Sequence, residues 1–385
     1  MRAAPSPVTW VHPNPPPATN TTIITMRYST VLLAAAFLIT SRPSGQPPKG
    51  LKDYYYNYFP IGVAVSIRDI TGPDTTLITR EFNSLTPENA MKMGPIHPEE
   101  SRFYWKDADA IVDFATAHGM RIRGHNLCWH KQTPSWLFKD SAGNTVTKKV
   151  LLKRLKDHIT AVVSRYKGRV YAWDVVNEAV ADENSDDTTK DLRNSPWFRI
   201  CGDEFIAKAF EYAHAADSNA QLFYNDYNTE QPGKRERVYR LLRKLVTAGV
   251  PIAGMGIQAH WSIFEPSTAN IEASIDRFSS LGLKVQITEL DISIYPPGQT
   301  NPHSPQPGGS DSYTSTIQQE QAEQYRNVFS IFRKYKSIIN GVTFWNVTDK
   351  RTWLDHYPVP GRKNYPLLFD TAGQPKKAWW EVVNF

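Results

Sequence analysis

Cysteine is scarce in this chain. Only Cys128 and Cys201 occur among 385 residues. Two thiols exclude a framework of several disulfides and a metal site built from cysteines. One bridge between them is compatible with an exporting cell. However, Cys128 lies in an apolar strand-like run and Cys201 begins a helical pattern, so we expect two small buried apolar side chains instead.

Several patterns that indicate other chemistries are also missing. His125, His130 and His260 form no H-E-x-x-H motif or other close ligand spacing, which disfavours a catalytic metal. A G-x-S-x-G elbow for serine catalysis is absent, and so is a phosphate-binding P-loop. We therefore predict an activity that needs no metal and no cofactor.

The charge balance gives little support for a nucleic-acid partner. The chain has 44 basic and 38 acidic residues, a net charge of +6, but the two signs are interspersed. The densest basic stretch has helical spacings that are typical of a solvated helix face. Its members are Lys234, Arg235, Arg237, Arg240, Arg243 and Lys244. We predict that the protein binds no nucleic acid.

The first 45 residues do not resemble folded protein. Residues 1–25 are rich in Pro, Thr and Asn, so we expect them to be disordered or an upstream extension of the reading frame. Met26 and Arg27 then precede nine apolar residues, 31–39, which are too few to span a bilayer. Residues 26–45 are therefore predicted to be a signal peptide. The mature protein would be secreted (extracellular or periplasmic) and free of the membrane.

From residue 46 to 385 the pattern predicts a single catalytic domain. Short β-rich runs alternate with longer amphipathic ones, and the eight strand candidates are residues 61–66, 81–85, 121–128, 170–176, 221–225, 252–258, 284–288 and 341–345. Eight strands with helical connections predict an α/β fold of the (β/α)8 (TIM) barrel type. A doubly wound open sheet is the structural alternative.

Polar side chains follow most of the predicted strands, which favours the barrel. The carboxyl ends of barrel strands converge on one face, so residues spread over some 250 positions would meet in one cleft. Glu178 follows the fourth strand and Glu289 follows the seventh. Two carboxylates without a thiol nucleophile suit glycoside hydrolysis, in which one acts as acid and the other as nucleophile.

Six segments of the chain carry a family resemblance. They are GHNLCWHKQTPSWL (124–137), WDVVNE (173–178), YNDYN (224–228), GIQAHW (256–261), ITELDI (287–292) and TDKRTWL (348–354). Together they resemble the family 10 glycoside hydrolases, the endo-β-1,4-xylanases, in order over residues 61–380. The resemblance implies a retaining double-displacement enzyme, acting as a monomer on xylan and xylo-oligosaccharides.

The resemblance also implies a role for each matching residue. WDVVNE makes Glu178 the acid/base and ITELDI makes Glu289 the nucleophile, with His260 holding Glu289 and Asp291 orienting His260. The residues that it implies contact the sugar are Glu88, Asn89, Lys92, His125, Trp129, Gln132, Asn177, Tyr224, Asn225, Gln258, His260, Trp345 and Trp353. Tyr224 and Asn225 would face the leaving-group side, and the two tryptophans would form a lid.

Two departures from the family pattern are visible. Asn346 follows Trp345 where the family usually has Gly, and we expect its side chain to crowd Trp345. Asn126 follows His125 where Thr is more frequent. Two other functions stay open: a β-1,4-glycosidase with cellulosic or aryl-glycoside preference, and a non-catalytic carbohydrate-binding barrel. Intact Glu178 and Glu289 argue against the second.

Overall fold

The computed structural model describes residues 48–183, 187–296 and 313–385. The predictions of disorder in residues 1–25 and of a signal peptide in residues 26–45 lie outside these residues. In the described part of the chain, no helix combines the length and the apolar character needed to cross a membrane.

The described residues form nine parallel strands. They are β1 (Ile61–Val65), β2 (Ser84–Pro87), β3 (Arg121–Trp129), β4 (Val170–Asn177), β5 (Gln221–Asp226), β6 (Gly254–Ile257), β7 (His260–Ser262), β8 (Lys284–Ser293) and β9 (Ile339–Phe344). The sheet order is β6-β5-β4-β3-β2-β1-β9-β8-β7, and an additional pairing of β6 with β8 closes the ring. The short β7 pairs with β8 only, beyond the closing pair. The closed sheet confirms the predicted (β/α)8 barrel.

Twelve α-helices accompany the strands in the described residues. The short ones are α1 (Leu51–Tyr54), α2 (Ile67–Thr71), α3 (Thr75–Glu81), α4 (Met93–Ile96), α7 (Pro196–Cys201) and α12 (Lys377–Val383). The longer ones, which form the outer layer, are α5 (Lys106–Ala117), α6 (Lys148–Arg165), α8 (Glu204–Ala216), α9 (Pro232–Thr247), α10 (Thr268–Ser279) and α11 (Ser315–Lys334). Single 3₁₀ turns cover Ser135–Leu137, Thr188–Lys190 and Trp353–Asp355.

Helix α6 shows why the sequence builds this outer layer. The Thr147 side chain accepts a hydrogen bond from the Val150 amide and so caps the helix N-terminus. Leu151, Leu155 and Ile159 recur every four residues and are fully buried. This stripe packs towards the barrel, and burying each such side chain contributes about 1.5–3 kcal/mol.

The barrel interior holds a buried ion pair. Arg123 on β3 and Asp174 on β4 are both wholly inaccessible to solvent. The Nη1 and Nη2 atoms of Arg123 each donate a hydrogen bond to the Asp174 carboxylate. The Arg123 Nε also donates to Gln286 Oε1 at 2.7 Å. Asp174 accepts a further hydrogen bond from His125 Nδ1 at 2.8 Å. The pair thus links the barrel interior to a side chain that lies in the cleft above it.

Two predicted features differ from the structure. The second strand was expected at residues 81–85, but Glu81 ends helix α3 and the strand begins at Ser84. The Glu81 carboxylate accepts hydrogen bonds from the Leu51 amide and the Trp379 indole, so it serves helix packing. The sixth strand was expected to be continuous to residue 258, yet it ends at Ile257 because Ala259 adopts a left-handed conformation, φ 65°.

Both cysteines are buried and free in the structure. Cys128 lies on β3 and Cys201 ends α7, and burial raises the pKa of each thiol. They behave as small apolar side chains, as expected.

Candidate active site

A cleft of about 430 Å³ lies at the carboxyl end of the barrel strands. Thirteen of the fifteen residues predicted to catalyse or to contact the sugar line it. These are Glu88, Asn89, Lys92, His125, Trp129, Gln132, Asn177, Glu178, Gln258, His260, Glu289, Trp345 and Trp353. The strand ends thus converge, as barrel topology requires.

Glu178 stands directly after β4 in a strained backbone conformation. Its φ of 56° lies in the left-handed region, which a residue with a Cβ atom rarely adopts unless the surroundings impose it. The side chain is 6% exposed, and its Oε1 accepts hydrogen bonds from Asn177 Nδ2 at 3.1 Å and Gln258 Nε2 at 3.0 Å. Burial, together with the charges of Asp226 and Glu289, raises the pKa of Glu178. This carboxyl group is therefore disposed to carry a proton.

Glu289 on β8 lies in the opposite electrostatic setting. Its Oε1 accepts a hydrogen bond from Asn225 Nδ2 at 2.8 Å, and its Oε2 accepts one from His260 Nε2 at 3.0 Å. Burial alone would raise the pKa of Glu289, but the His260 hydrogen bond and the charges of His125, His260 and Lys92 outweigh it and lower the pKa to about 2. Glu289 is consequently ionised at all moderate pH values.

His260 connects Glu289 to a second carboxylate. Its Nδ1 donates to Asp291 Oδ2 at 2.9 Å while its Nε2 donates to Glu289. Although burial opposes the imidazolium form, Asp291 and Glu289 raise the pKa of His260 to about 10. The same Asp291 oxygen accepts a hydrogen bond from the Trp353 indole at 2.8 Å. Asp291 therefore fixes the orientation of both His260 and Trp353.

Lys92 and its neighbours form one wall of the cleft. Lys92 is 7% exposed, and its Nζ donates to Asn89 Oδ1 at 3.1 Å. The ammonium group lies 5.1 Å from the ring centre of Trp129 and 5.8 Å from that of Trp345. Burial lowers the pKa of Lys92, and the charges of Glu289, Glu88 and Glu178 oppose this. A donor held between two aromatic faces is suited to binding sugar hydroxyls.

Aromatic rings form the rest of the enclosure. Trp345 meets His125 edge to face at 5.2 Å, and Trp353 lies 4.8 Å from the His260 ring. Tyr357 stacks on Trp353 at 5.5 Å with the planes 18° apart. Indole and phenol faces are favourable platforms for the apolar faces of sugar rings.

The structure places Tyr224 and Asn225 behind the cleft wall, so the expectation that they face the leaving-group side is wrong. Side chains alternate along a strand. Tyr224 accordingly points away from the barrel interior, where its hydroxyl accepts hydrogen bonds from the amides of Ala179 and Val180 at 3.0 Å. Asn225 points inward, is 0% exposed, and donates to Asn177 and Glu289. Asn225 is thus a support for the glutamate and Tyr224 a support for the loop after β4.

Four residues that line the cleft were missed by the sequence reasoning: Lys131, Tyr227, Asn228 and Tyr357. Tyr227 and Asn228 belong to the YNDYN segment, immediately after β5. The position of the strand end would have favoured them over Tyr224. Lys131 carries the same signal, because it follows the end of β3 in the segment 124–137. No comparable signal marks Tyr357, which lies in a loop.

Asn346 is not among the residues that line this cleft, and the expectation that it crowds Trp345 stays a prediction. Its side-chain amide is occupied by Glu88 and by the backbone of Trp353.

Comparisons with known proteins agree with this geometry. A model of the glycosyl hydrolase family 10 matches residues 50–385. A β-1,4-xylanase from Dictyoglomus thermophilum is 48% identical over 369 residues, which cover 94% of this chain and 100% of that protein. An endo-1,4-β-xylanase from Geobacillus stearothermophilus is 48% identical over 338 residues, covering 87% of this chain and 98% of that protein.

Solved structures give the same result. The crystal structure of a xylanase from Paenibacillus barcinonensis in complex with a conduramine derivative matches with a TM-score of 0.82 and 43% identity, over 88% of this chain and 99% of that one. A psychrophilic family 10 endo-β-1,4-xylanase matches with a TM-score of 0.79 and 45% identity, over 88% of this chain and 100% of that one. The chain belongs to glycosyl hydrolase family 10.

Proposed function

We propose that this protein is an endo-1,4-β-xylanase that hydrolyses xylan with retention of anomeric configuration. One observation carries the proposal: two carboxylates in one cleft have pKa values displaced in opposite directions, Glu178 upward and Glu289 downward. Such a pair supplies an acid and a nucleophile at the same pH. The names of the related proteins give the substrate class.

The residues assign each step of a double displacement. Protonated Glu178 donates its proton to the glycosidic oxygen while ionised Glu289 attacks the anomeric carbon, so that the glycosidic bond breaks and a glycosyl ester forms. The released chain leaves with a new hydroxyl group. Glu178, now ionised, takes a proton from water, and the resulting oxygen attacks the anomeric carbon and displaces Glu289. Both glutamates then return to their starting protonation states.

The surrounding residues are proposed to bind the sugar and hold the glutamates. Asn177 lies between Glu178 and Asn225, where its amide can reach a sugar hydroxyl. Lys92, with Glu88 and Asn89 beside it, is proposed to grip the sugar on the non-reducing side, and Trp345 and Trp353 are proposed to cover it. His260 holds Glu289 ionised during attack.

Release of reducing ends from glucuronoxylan, arabinoxylan and carboxymethyl-cellulose tests the proposal. We expect rapid release of short oligosaccharides from the two xylans and little from the cellulose derivative. Preferential cleavage of the cellulose derivative would favour the broader β-1,4-glycosidase. Binding of xylan without release of reducing ends would favour a non-catalytic barrel. The anomer formed first, followed by proton NMR, separates retention from inversion.

We also propose that the enzyme is secreted after removal of residues 26–45 and acts as a monomer. The positive residue followed by nine apolar residues supports export. N-terminal sequencing of protein collected from the culture medium, with light scattering of the same sample, tests both points. A mature protein beginning before residue 26, or a dimer mass, would contradict them.

A further inference from the structure

Asn346 occupies a backbone position that disfavours most residues. Its φ of 98° lies in the region that glycine adopts freely and that a Cβ atom makes unfavourable. Asparagine tolerates such conformations better than most residues, but still less well than glycine. The side chain of Asn346, unlike a glycine, can form hydrogen bonds at this position.

The Asn346 side-chain amide connects two residues that line the cleft, Glu88 and Trp353. Its Nδ2 donates to Glu88 Oε2 at 3.2 Å, and its Oδ1 accepts a hydrogen bond from the Trp353 amide at 3.3 Å. Asn346 follows β9, whereas Glu88 follows β2, so the first contact spans 258 positions of the chain. Asn346 is only 8% exposed, which protects both hydrogen bonds from competition by water.

Each of the two partners has a place in the cleft. Glu88 lines the cleft together with Lys92, and Trp353 lines it next to the His260 ring. The Trp353 indole in turn donates to Asp291, which orients the His260 that holds Glu289. An amide that fixes Glu88 and the Trp353 backbone therefore sets the spacing between these two cleft residues.

The charges around Glu88 show what the amide supplies. Burial raises the pKa of Glu88. The positive charge of Lys92 opposes this increase, and the negative charge of Asp69 adds to it. The Asn346 side-chain N–H is a neutral donor that favours the ionised form of Glu88. It leaves the Lys92 ammonium group free for the sugar. A carboxylate at the same position would repel Glu88 instead.

We propose that Asn346 is a positioning residue for substrate binding: it holds Glu88 and Trp353 in the arrangement that binds the sugar on the non-reducing side of the cleaved bond. The inference rests on the proposed xylanase function. Asn346 touches neither of the two catalytic glutamates in the described structure, so it acts through Glu88 and Trp353.

Steady-state kinetics on two aryl glycosides test this proposal. Asn346→Ala removes both hydrogen bonds but keeps the Cβ atom, and Asn346→Gly removes them while relieving the backbone. We expect both variants to raise KM for an aryl xylobioside by about five- to tenfold, which is within the range for losing one ordinary hydrogen bond. The kcat should change less than about twofold, since catalytic groups are untouched. An aryl xyloside with a single sugar should be cleaved with nearly unchanged KM.

Two further measurements separate positioning from damage to the loop. In a Glu88→Gln background the Asn346→Ala effect on KM should largely vanish, because the two side chains act as a pair. The rise of KM for the xylobioside towards low pH should begin at a higher pH in Asn346→Ala than in the parent, because Glu88 loses a donor to its ionised form. Asn346→Asp should raise KM more than Asn346→Ala does, and part of that increase should disappear as the pH is lowered.

Asn364→Ala is the matched control. Asn364 is 1% exposed and donates to the Oγ of Ser293, the last residue of β8, at 2.7 Å. We expect it to lower Tm without changing the preference for xylobioside over xyloside. Equal losses of Asn346→Ala and Asn346→Gly on both aryl glycosides, or an unchanged KM, would overturn the positioning role. A parent protein inactive on xylan and on both aryl glycosides would instead refute the proposed function.

Discussion

Replacing His260 by Asn tests the electrostatics of the nucleophile most directly. The pKa of Glu289 falls from 4.5 to about 2, which corresponds to about 3 kcal/mol in favour of the ionised form at about 1.4 kcal/mol per pH unit. Burial opposes this shift, and the hydrogen bond from His260 is the largest effect that lowers the pKa of Glu289. Asn carries no charge and is too short to reach both Glu289 and Asp291.

We expect the pH profile of kcat/KM for His260→Asn to show a loss of activity at acid pH that comes from Glu289. In the parent, Glu289 should stay ionised down to about pH 2, so kcat/KM on an aryl xylobioside should show no loss from Glu289 above that pH. In His260→Asn only the charges of His125 and Lys92 still oppose burial, and the midpoint should rise towards the ordinary value of 4.5. An activated aryl leaving group is used because it makes the first step insensitive to Glu178.

Stability should change with pH in a defined direction. The lowered pKa of Glu289 adds stability above pH 4.5 that is lost as the pH falls towards about 2. The raised pKa of His260 adds stability below pH 6.5 that is lost as the pH rises through about 10. The parent should thus exceed His260→Asn in Tm most clearly between about pH 4.5 and 6.5, where both contributions are complete.

Trp353→Phe is the control for this experiment. It removes the indole donor to Asp291 but keeps the His260–Glu289 hydrogen bond, so KM should rise while the acid limb stays in place. An acid limb of His260→Asn at the same pH as in the parent would refute the argument that His260 keeps Glu289 ionised.

Four further predictions follow from the same structure. Glu289→Ala should abolish turnover but retain binding of xylohexaose by calorimetry, because the nucleophile is needed in the transition state; loss of binding would contradict this. Glu178→Ala should still cleave aryl xylobiosides with a burst and respond to azide, whereas equal inactivity on aryl glycosides and xylan would remove Glu178 as acid/base. Asp174→Leu should lower the free energy of unfolding in urea by about 3–5 kcal/mol, because Arg123 is left buried and unpaired, and adding Arg123→Met should recover most of it. His158 has its pKa lowered to about 3 by burial, so stability should fall as the pH drops below 6.5. A His158→Gln variant should flatten this slope in urea unfolding series, and an equal slope would contradict the assignment.

The positions of Glu178 and Glu289 could be predicted because strand ends are visible in the sequence. A short β-rich run followed by a polar residue identifies the end, and barrel topology then brings all ends to one face. The same reasoning predicts Lys92, His125, Gln258 and most of the other residues that line the cleft.

The wrong predictions concern positions where a shift of one residue along a strand decides whether a side chain points into the barrel or away from it. Tyr224 and Asn225 are adjacent on one strand, so only one of them can point into the barrel, and the cleft itself begins two residues later at Tyr227. The Asn346–Glu88 hydrogen bond joins residues 258 positions apart, and no local pattern contains it. Tyr357 stacks on Trp353 from a loop whose path depends on tertiary contacts.

The buried ion pair beneath the cleft has a consequence for anyone who wishes to make this enzyme more heat-resistant. Replacing a buried ion pair by well-packed apolar residues is often neutral or stabilising. Here the Asp174 carboxylate also holds His125 Nδ1, and the His125 ring lies 3.9 Å from Glu289. A repacked interior would therefore release the imidazole next to the nucleophile. Heat resistance and turnover are coupled through this one carboxylate, and directed evolution for either property should leave Asp174 unchanged.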